Sequence, residues 1–173
     1  MANDIEFSFE VSGFIGAFKV ESFRVREALS APFEMSLTVL SENDDISFEA
    51  LSRKTGVLSV YGQGLVAARQ FNGSISELSY MGSGRRYSRY QITLVPQLWF
   101  LTQRQDCRIF QNKTAPDIIR HVFDDAGMSD YRFELAGQYQ EKDYVLQYRE
   151  NDHHFVQRLL AEHGMWFYFE HSD

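Results

Sequence analysis

Apolar and polar residues alternate with a period of two over most of the first hundred positions. From Ile5 to Val11, Ile5, Phe7, Phe9 and Val11 alternate with Glu6, Ser8 and Glu10, the pattern of a half-buried strand. A second run carries Phe18, Val20, Phe23 and Val25 and ends near Ser30-Ala31-Pro32. A third, Phe33–Ser41, sets Phe33, Met35, Leu37 and Val39 against Glu34, Ser36 and Thr38. Asp44 and Asp45 fall in a polar turn. Val57–Tyr61 is a short strand ending at the turn signal Gly62-Gln-Gly64. The longest pair is Arg69–Ser79 and Arg86–Leu101, joined through Met81-Gly-Ser-Gly84, which predicts a hairpin. Long strands with little helix between them predict a curved antiparallel sheet or barrel.

The period changes near Arg108. Thr114 is a capping residue, Pro116 sits in the first turn, and Asp117 occupies the acidic position of a capping box. Ile118, Ile119, Val122, Phe123 and Ala126 then form one stripe, and Gly127 ends the helix. Tyr131–Leu135 is expected as a strand, Gly137–Asp143 as a loop, and Tyr144–Tyr148 as another strand. Asn151 caps a second helix with a buried face of Phe155, Val156, Leu159 and Leu160, stopped by Gly164. Met165–His171 is expected as a last strand without a partner after it, which suggests a piece of something longer. The expected class is β-rich α+β: a curved antiparallel sheet or barrel followed by two helices. Trp99, Phe110, Ile118, Val122, Phe155, Leu159 and Trp166 are expected in the core.

Length and composition are those of an ordinary globular chain: 173 residues, 44% hydrophobic and 24% charged. The net charge of -7 divides into -2 before Phe100 and -5 after it, with no basic face for phosphate binding. The single cysteine, Cys107, excludes an internal disulfide framework. The acidic start Met1-Ala-Asn-Asp-Ile-Glu6 lacks the basic and apolar regions of a signal peptide, and no stretch has the length of a membrane span. Synthesis in the cytoplasm, without the general secretory route and without a stable membrane anchor, is therefore expected.

Candidate chemistry is sparse. Cys107, between Asp106 and Arg108, has no local feature that would activate a thiol. His153 and His154 are helix neighbours pointing about 100° apart, and His163 and His171 add no zinc-type spacing. The acid pairs Asp44-Asp45 and Asp124-Asp125 sit at a turn and a helix end, where solvated carboxylates are ordinary. The glycines at 62, 64, 82 and 84 precede strands rather than a helix, so they read as turns and not as a phosphate loop. Arg85, Arg86 and Arg89 with Tyr87 and Tyr90 could stack on single-stranded nucleic acid, but the acidic balance favours a polar strand face. Asn112-Lys-Thr114 is a glycosylation sequon in pattern only, and no Gly-x-Ser-x-Gly elbow occurs. No catalytic, cofactor-binding or metal-binding residue is expected, nor a nucleic-acid partner. What remains is an assembly module that works through sheet edges and apolar faces, with Phe33–Ser41 and Arg86–Val95 as candidate edges.

Several pieces in one order carry a resemblance: Glu27-Ala-Leu-Ser-Ala-Pro-Phe-Glu34, Phe71-Asn-Gly73, Leu94-Val-Pro-Gln-Leu-Trp-Phe-Leu101, Gln103-Arg-Gln-Asp-Cys-Arg-Ile-Phe-Gln111, Thr114-Ala-Pro-Asp-Ile-Ile119, Gln147-Tyr-Arg-Glu-Asn-Asp152 and Phe155-Val-Gln-Arg-Leu-Leu160. Together they resemble the N-terminal region of VgrG, the spike protein of bacterial type VI secretion systems. The family often has His at Asn72 and Ser at Asn151, and Asn caps helices as Ser does. The resemblance implies a phage tail hub-like fold with two related barrel domains, the first over residues 1–100, with residues 101–173 a helical connection and the incomplete start of the second. It implies a homotrimeric, pseudo-sixfold base docking on the hexameric Hcp tube, with a PAAR tip protein or effectors carried through C-terminal parts absent here. It implies export by the machine itself, no enzyme within this stretch and no cofactor. A phage or phage-derived tail baseplate hub is the alternative from the same structural class.

Overall fold

The computed structural model describes residues 6–62 and 69–171. Ile5, Gln63 and Gly64, which the sequence placed in a strand and a turn, lie outside them. The chain forms two compact units: one reaches to Pro96 and takes in residues 169–171, the other is Gln97–Tyr168.

The first unit is a curled antiparallel sheet of β1 (Glu6–Val11), β2 (Lys19–Ala28), β3 (Ala31–Ser41), β4 (Thr55–Tyr61), β5 (Arg69–Ser83) and β6 (Ser88–Val95), with a single helical turn, α1 (Phe48–Leu51). The order is β1-β4-β5-β6-β3-β2. One bridge, Phe9 to Phe18, links the two ends of the sheet beside β1 and β2. The register explains the core. Met35 faces Leu94, Leu37 faces Ile92 and Val39 faces Tyr90, so the alternating apolar positions of β3 and β6 stack on one face and are all buried. Gly56 lets β4 close over them, since a Cβ there would lie 2.8 Å from both Phe9 and Leu94.

Two expectations change. The strand expected from Arg86 to Leu101 stops at Val95, because Pro96 has no N–H to continue a ladder, and Gln97–Gln103 winds into a 3₁₀ helix. The expected edges, Phe33–Ser41 and Arg86–Val95, are interior: β3 lies between β2 and β6, and β6 between β5 and β3. The ends of the sheet are β1 and β2, and β2 carries two register irregularities, a common protection of an edge.

The second unit packs α2 (Ala115–Asp125) and α3 (Asp152–Glu162) against one face of a two-stranded sheet, β7 (Gln105–Phe110) and β8 (Val145–Asn151). The helix signals act as expected. The Thr114 hydroxyl accepts from the Asp117 N–H at 3.3 Å and donates to the Asp117 carboxylate at 2.6 Å. The Asn151 side chain accepts from the His154 N–H at 2.7 Å. Gly127 and Gly164 follow the helices at positive φ. Phe110 stacks on Phe155 with ring centroids 5.8 Å apart, over buried Ile118, Val122, Val156 and Leu159.

Phe110, Ile118, Val122, Phe155 and Leu159 are in the core as expected, but Trp99 and Leu160 are half-buried and Trp166 is 62% exposed. Burial along residues 165–171 alternates as in a strand, so every second side chain of this apolar run faces outward. No strand ladder is assigned to Tyr131–Leu135 or Met165–His171.

Candidate interaction surfaces

The residues singled out for chemistry are dispersed or already engaged. Cys107 is exposed on β7 and donates its N–H to Asp106 at 2.7 Å. Asp124 accepts from the Tyr131 hydroxyl at 2.8 Å, and Asp125 binds two guanidinium groups. Asp45 donates its N–H to the Asn43 side chain in a turn. His153 and His154 head α3, where burial, with His154 second, holds the His153 imidazole below its ordinary range. His163 ends that helix, while His171 belongs to the other unit. Among the described residues no group of three or more His, Cys, Asp or Glu could hold a metal ion. No helix of the described residues is long and apolar enough to cross a membrane.

The arginine and tyrosine strand is occupied as well. Arg86 bonds Glu42 at 2.9 Å and Arg89 bonds Glu21 at 2.7 Å. Tyr90 is a core residue whose hydroxyl donates to the Asn43 carbonyl at 3.1 Å and accepts from the Ile46 N–H at 3.4 Å. A ring held this way offers no face to a base.

In the first unit His171 closes one end of the sheet. The β5–β6 ladder ends at Ser74 and Val95, so Asn72 lies past the end of β6. The Asn72 N–H donates to His171 Nδ1 at 3.1 Å, and His171 Nε2 then carries the proton and donates to Glu27 at 3.1 Å. The ring sits against Phe33 and Phe71, with centroids 4.8 and 5.4 Å away. With Nδ1 taken by a backbone donor, this His–Glu pair has no free nitrogen to act as a base.

In the second unit a charged cluster that the sequence reading missed fastens the sheet to the helices. Asp152, 1% exposed in its side chain, is bonded by Arg108 and, at 2.8 Å, by the Gln147 amide. Arg108 also reaches Gln147 at 2.9 Å and Asp125 at 3.2 Å. Arg104 bonds Asp125 at 2.6 Å, and its Nε lies 3.2 Å from Asp152 Oδ2, an ion pair without hydrogen-bond geometry. Gln147 and Asp152 sit five residues apart in a piece quoted above for its resemblance alone. The one sequence signal for the cluster is a Gln on the buried face of β8 beside the acid that opens α3.

The other face of this small sheet is largely apolar and exposed among the described residues, with the Arg149 guanidinium 5.3 Å from the centre of the Tyr148 ring. Cys107 pairs with Tyr148 and Ile109 with Leu146, so their side chains share the face turned away from α2 and α3. Ile109 and Tyr148 are each 60% exposed, and Leu146 and Tyr144 are exposed too. An antiparallel sheet facing water normally presents polar residues there.

Residues 26–173 match the phage tail baseplate hub family (GPD). The chain belongs to that family. It is 40% identical over 148 residues to the type VI secretion system spike protein VgrG1b of Pseudomonas aeruginosa, covering 85% of this chain and 20% of that protein. It is 37% identical over 173 residues to VgrG4b of the same organism, covering 99% of this chain and 21% of that protein. The hub chain thus spans about a fifth of the length of these relatives. Among solved structures it is similar to the E. coli c3393 protein, with a TM-score of 0.84 and 29% identity, over 95% of this chain and 45% of that one. That protein is described as a type VI secretion component with structural similarity to the bacteriophage T4 tail proteins gp27 and gp5. A 43 kDa tail protein of prophage MuSo2 from Shewanella oneidensis shares the fold at a TM-score of 0.62 and 14% identity, covering 93% of this chain and 49% of that one. The curled antiparallel hub fold and the likeness to the N-terminal region of VgrG are therefore both as expected from the sequence.

Proposed function

We propose that this chain is the hub portion of the cell-puncturing spike of a type VI secretion machine. In this reading three copies of the intact polypeptide form a base that docks on the hexameric Hcp tube. A PAAR tip protein and effectors attach through parts outside this sequence. The observation that carries the reading is the 37% identity to VgrG4b across 99% of this chain. The engagement of the candidate chemical residues in structural contacts supports an assembly role with no enzymatic step and no cofactor. Synthesis in the bacterial cytoplasm and export by the machine itself follow from the same reading.

Residues 1–100 are read as the first hub domain and 101–173 as a connection entering a second. The boundary between the compact units at Pro96 and Gln97 supports this division, with residues 169–171 reassigned to the first. A phage or phage-derived tail hub shares the fold, but the phage tail protein compared above is only 14% identical, which favours the secretion spike.

The test is the native mass of the full-length gene product by light scattering beside its subunit mass. A trimer that binds purified Hcp is the expected result. A monomer, or a trimer indifferent to Hcp, would overturn the proposal.

A further inference from the structure

We propose that the His171 contact is a clasp built for two protonation states. Neutral, the ring holds the backbone N–H of Asn72. Charged, it holds the Asn72 side-chain oxygen instead, so the imidazole keeps its place on the first sheet when it takes a proton. Three observations lead to it.

The first is that Asn72 offers one ring nitrogen both a donor and an acceptor. Its backbone N–H group lies with the nitrogen 3.1 Å from His171 Nδ1, and its side-chain Oδ1 is 3.2 Å from the same atom. While Nδ1 accepts from the backbone, Oδ1 faces a lone pair and gains nothing from it. A proton on Nδ1 reverses this: the backbone bond is lost, and Nδ1–H donates to Oδ1 with the ring in place. The second is that the other nitrogen is served in both states. Nε2–H donates to the Glu27 carboxylate at 3.1 Å, and a charged imidazole strengthens that bond. The third is burial. The His171 side chain is 8% exposed and lies against Phe33 and Phe71, so little water can stand in for a missing partner. The charged groups around the ring are Glu27 on β2 and Arg69 on β5, the latter 3.8 Å from Glu27 and 4.6 Å from the centre of the Phe71 ring, while β3 contributes the uncharged Phe33. Glu27 favours the added proton and Arg69 opposes it, and only Glu27 bonds the ring directly. Imidazole is the side chain whose ordinary titration falls between neutral and mildly acid pH, so both states are within its reach.

The test is proton uptake at His171 in the full-length gene product, followed across a pH series by mass spectrometry of deuterium exchange at the imidazole C2 position. Asn72→Ala keeps the backbone N–H and removes only the acceptor of the charged ring. It is expected to weaken proton uptake at His171 roughly tenfold, the worth of one hydrogen bond to a charged group. Asn72→Asp sets a carboxylate at the same place and is expected to strengthen uptake, an opposite sign that a disturbance of packing would not give. In the parent protein the Asn72 amide should exchange faster, relative to its intrinsic rate, once His171 is charged. Either variant leaving proton uptake unchanged, or moving it the other way, overturns the inference. So does an Asn72 amide equally protected in both states, or a ring that takes no proton before the protein unfolds. If Asn72→Ala does not fold, Asn72→Leu, close to Asn in size, removes the same acceptor. Neither readout depends on the oligomeric state, so the clasp and the spike reading fail separately.

Discussion

The backbone N–H of Asn72 donates to the imidazole Nδ1 of His171 across 99 residues of sequence, at 3.1 Å. The ring supplies the acceptor that β6 would have offered had Pro96 not ended it. Nε2 is held by Glu27, itself 3.8 Å from Arg69, and Phe33 packs on the ring, so strands β2, β3 and β5 all meet on this one imidazole. His171→Ala should therefore destabilise the first unit by about 1–3 kcal/mol, the cost of leaving a part-buried donor unmet, and should speed hydrogen exchange at Asn72. An unchanged Asn72 amide would show that the contact does not persist in solution.

Asp152 should be the most sensitive charge in the second unit. Asp152→Ala leaves Arg108 and Gln147 facing an empty site, and a loss of about 3–5 kcal/mol is expected by urea denaturation. Asp152→Asn keeps the shape and one acceptor and should lose less. Equal effects of the two variants would mean that shape, rather than the Arg108 pairing, is what the site provides.

Leu159 is fully buried on α3 between the helices and the sheet. Leu159→Ala should cost about 2–5 kcal/mol through lost burial and the cavity left behind. A loss under about 1 kcal/mol would remove Leu159 from the core.

His153 ties stability to pH. Its folded-state pKa is lowered by burial first and by neighbouring His154 second, so the unfolded chain binds the proton more readily. The resulting stability is full above the unfolded pKa, about 6.5, and is lost as pH falls through the lower folded value. His153→Gln should flatten this acid-side slope in urea titrations at pH 7.5 and at pH 5.5, relative to the parent chain. Identical slopes in the two proteins would assign the acid sensitivity elsewhere.

Local signals carried far along this chain. The period-two runs gave β1 to β4 and the hairpin of β5 and β6, and the caps Thr114 and Asn151 placed both long helices, because such signals act between neighbours. The candidate surfaces were much less legible. Arg108 and Asp152 are 44 residues apart, and nothing local to either marks the other as its partner. The tyrosines and arginines after Gly84 looked like one surface until the register turned Tyr90 inward and set Arg86 and Arg89 against acids from β2 and the turn after β3.

By itself, the sequence determined the strands of the large sheet, both long helices and the absence of any local catalytic motif, because backbone periodicity, capping and side-chain chemistry are properties of short stretches. Only the tertiary structure decided strand order, and with it that β1 and β2, not β3 and β6, end the sheet. It alone decided that Trp166 faces outward and that Cys107 shares an apolar face with Tyr148. The physical reason is that burial belongs to a pair of surfaces: a side chain's own hydrophobicity fixes what covering it is worth, but the neighbour that covers it comes from a distant part of the chain, or from beyond it.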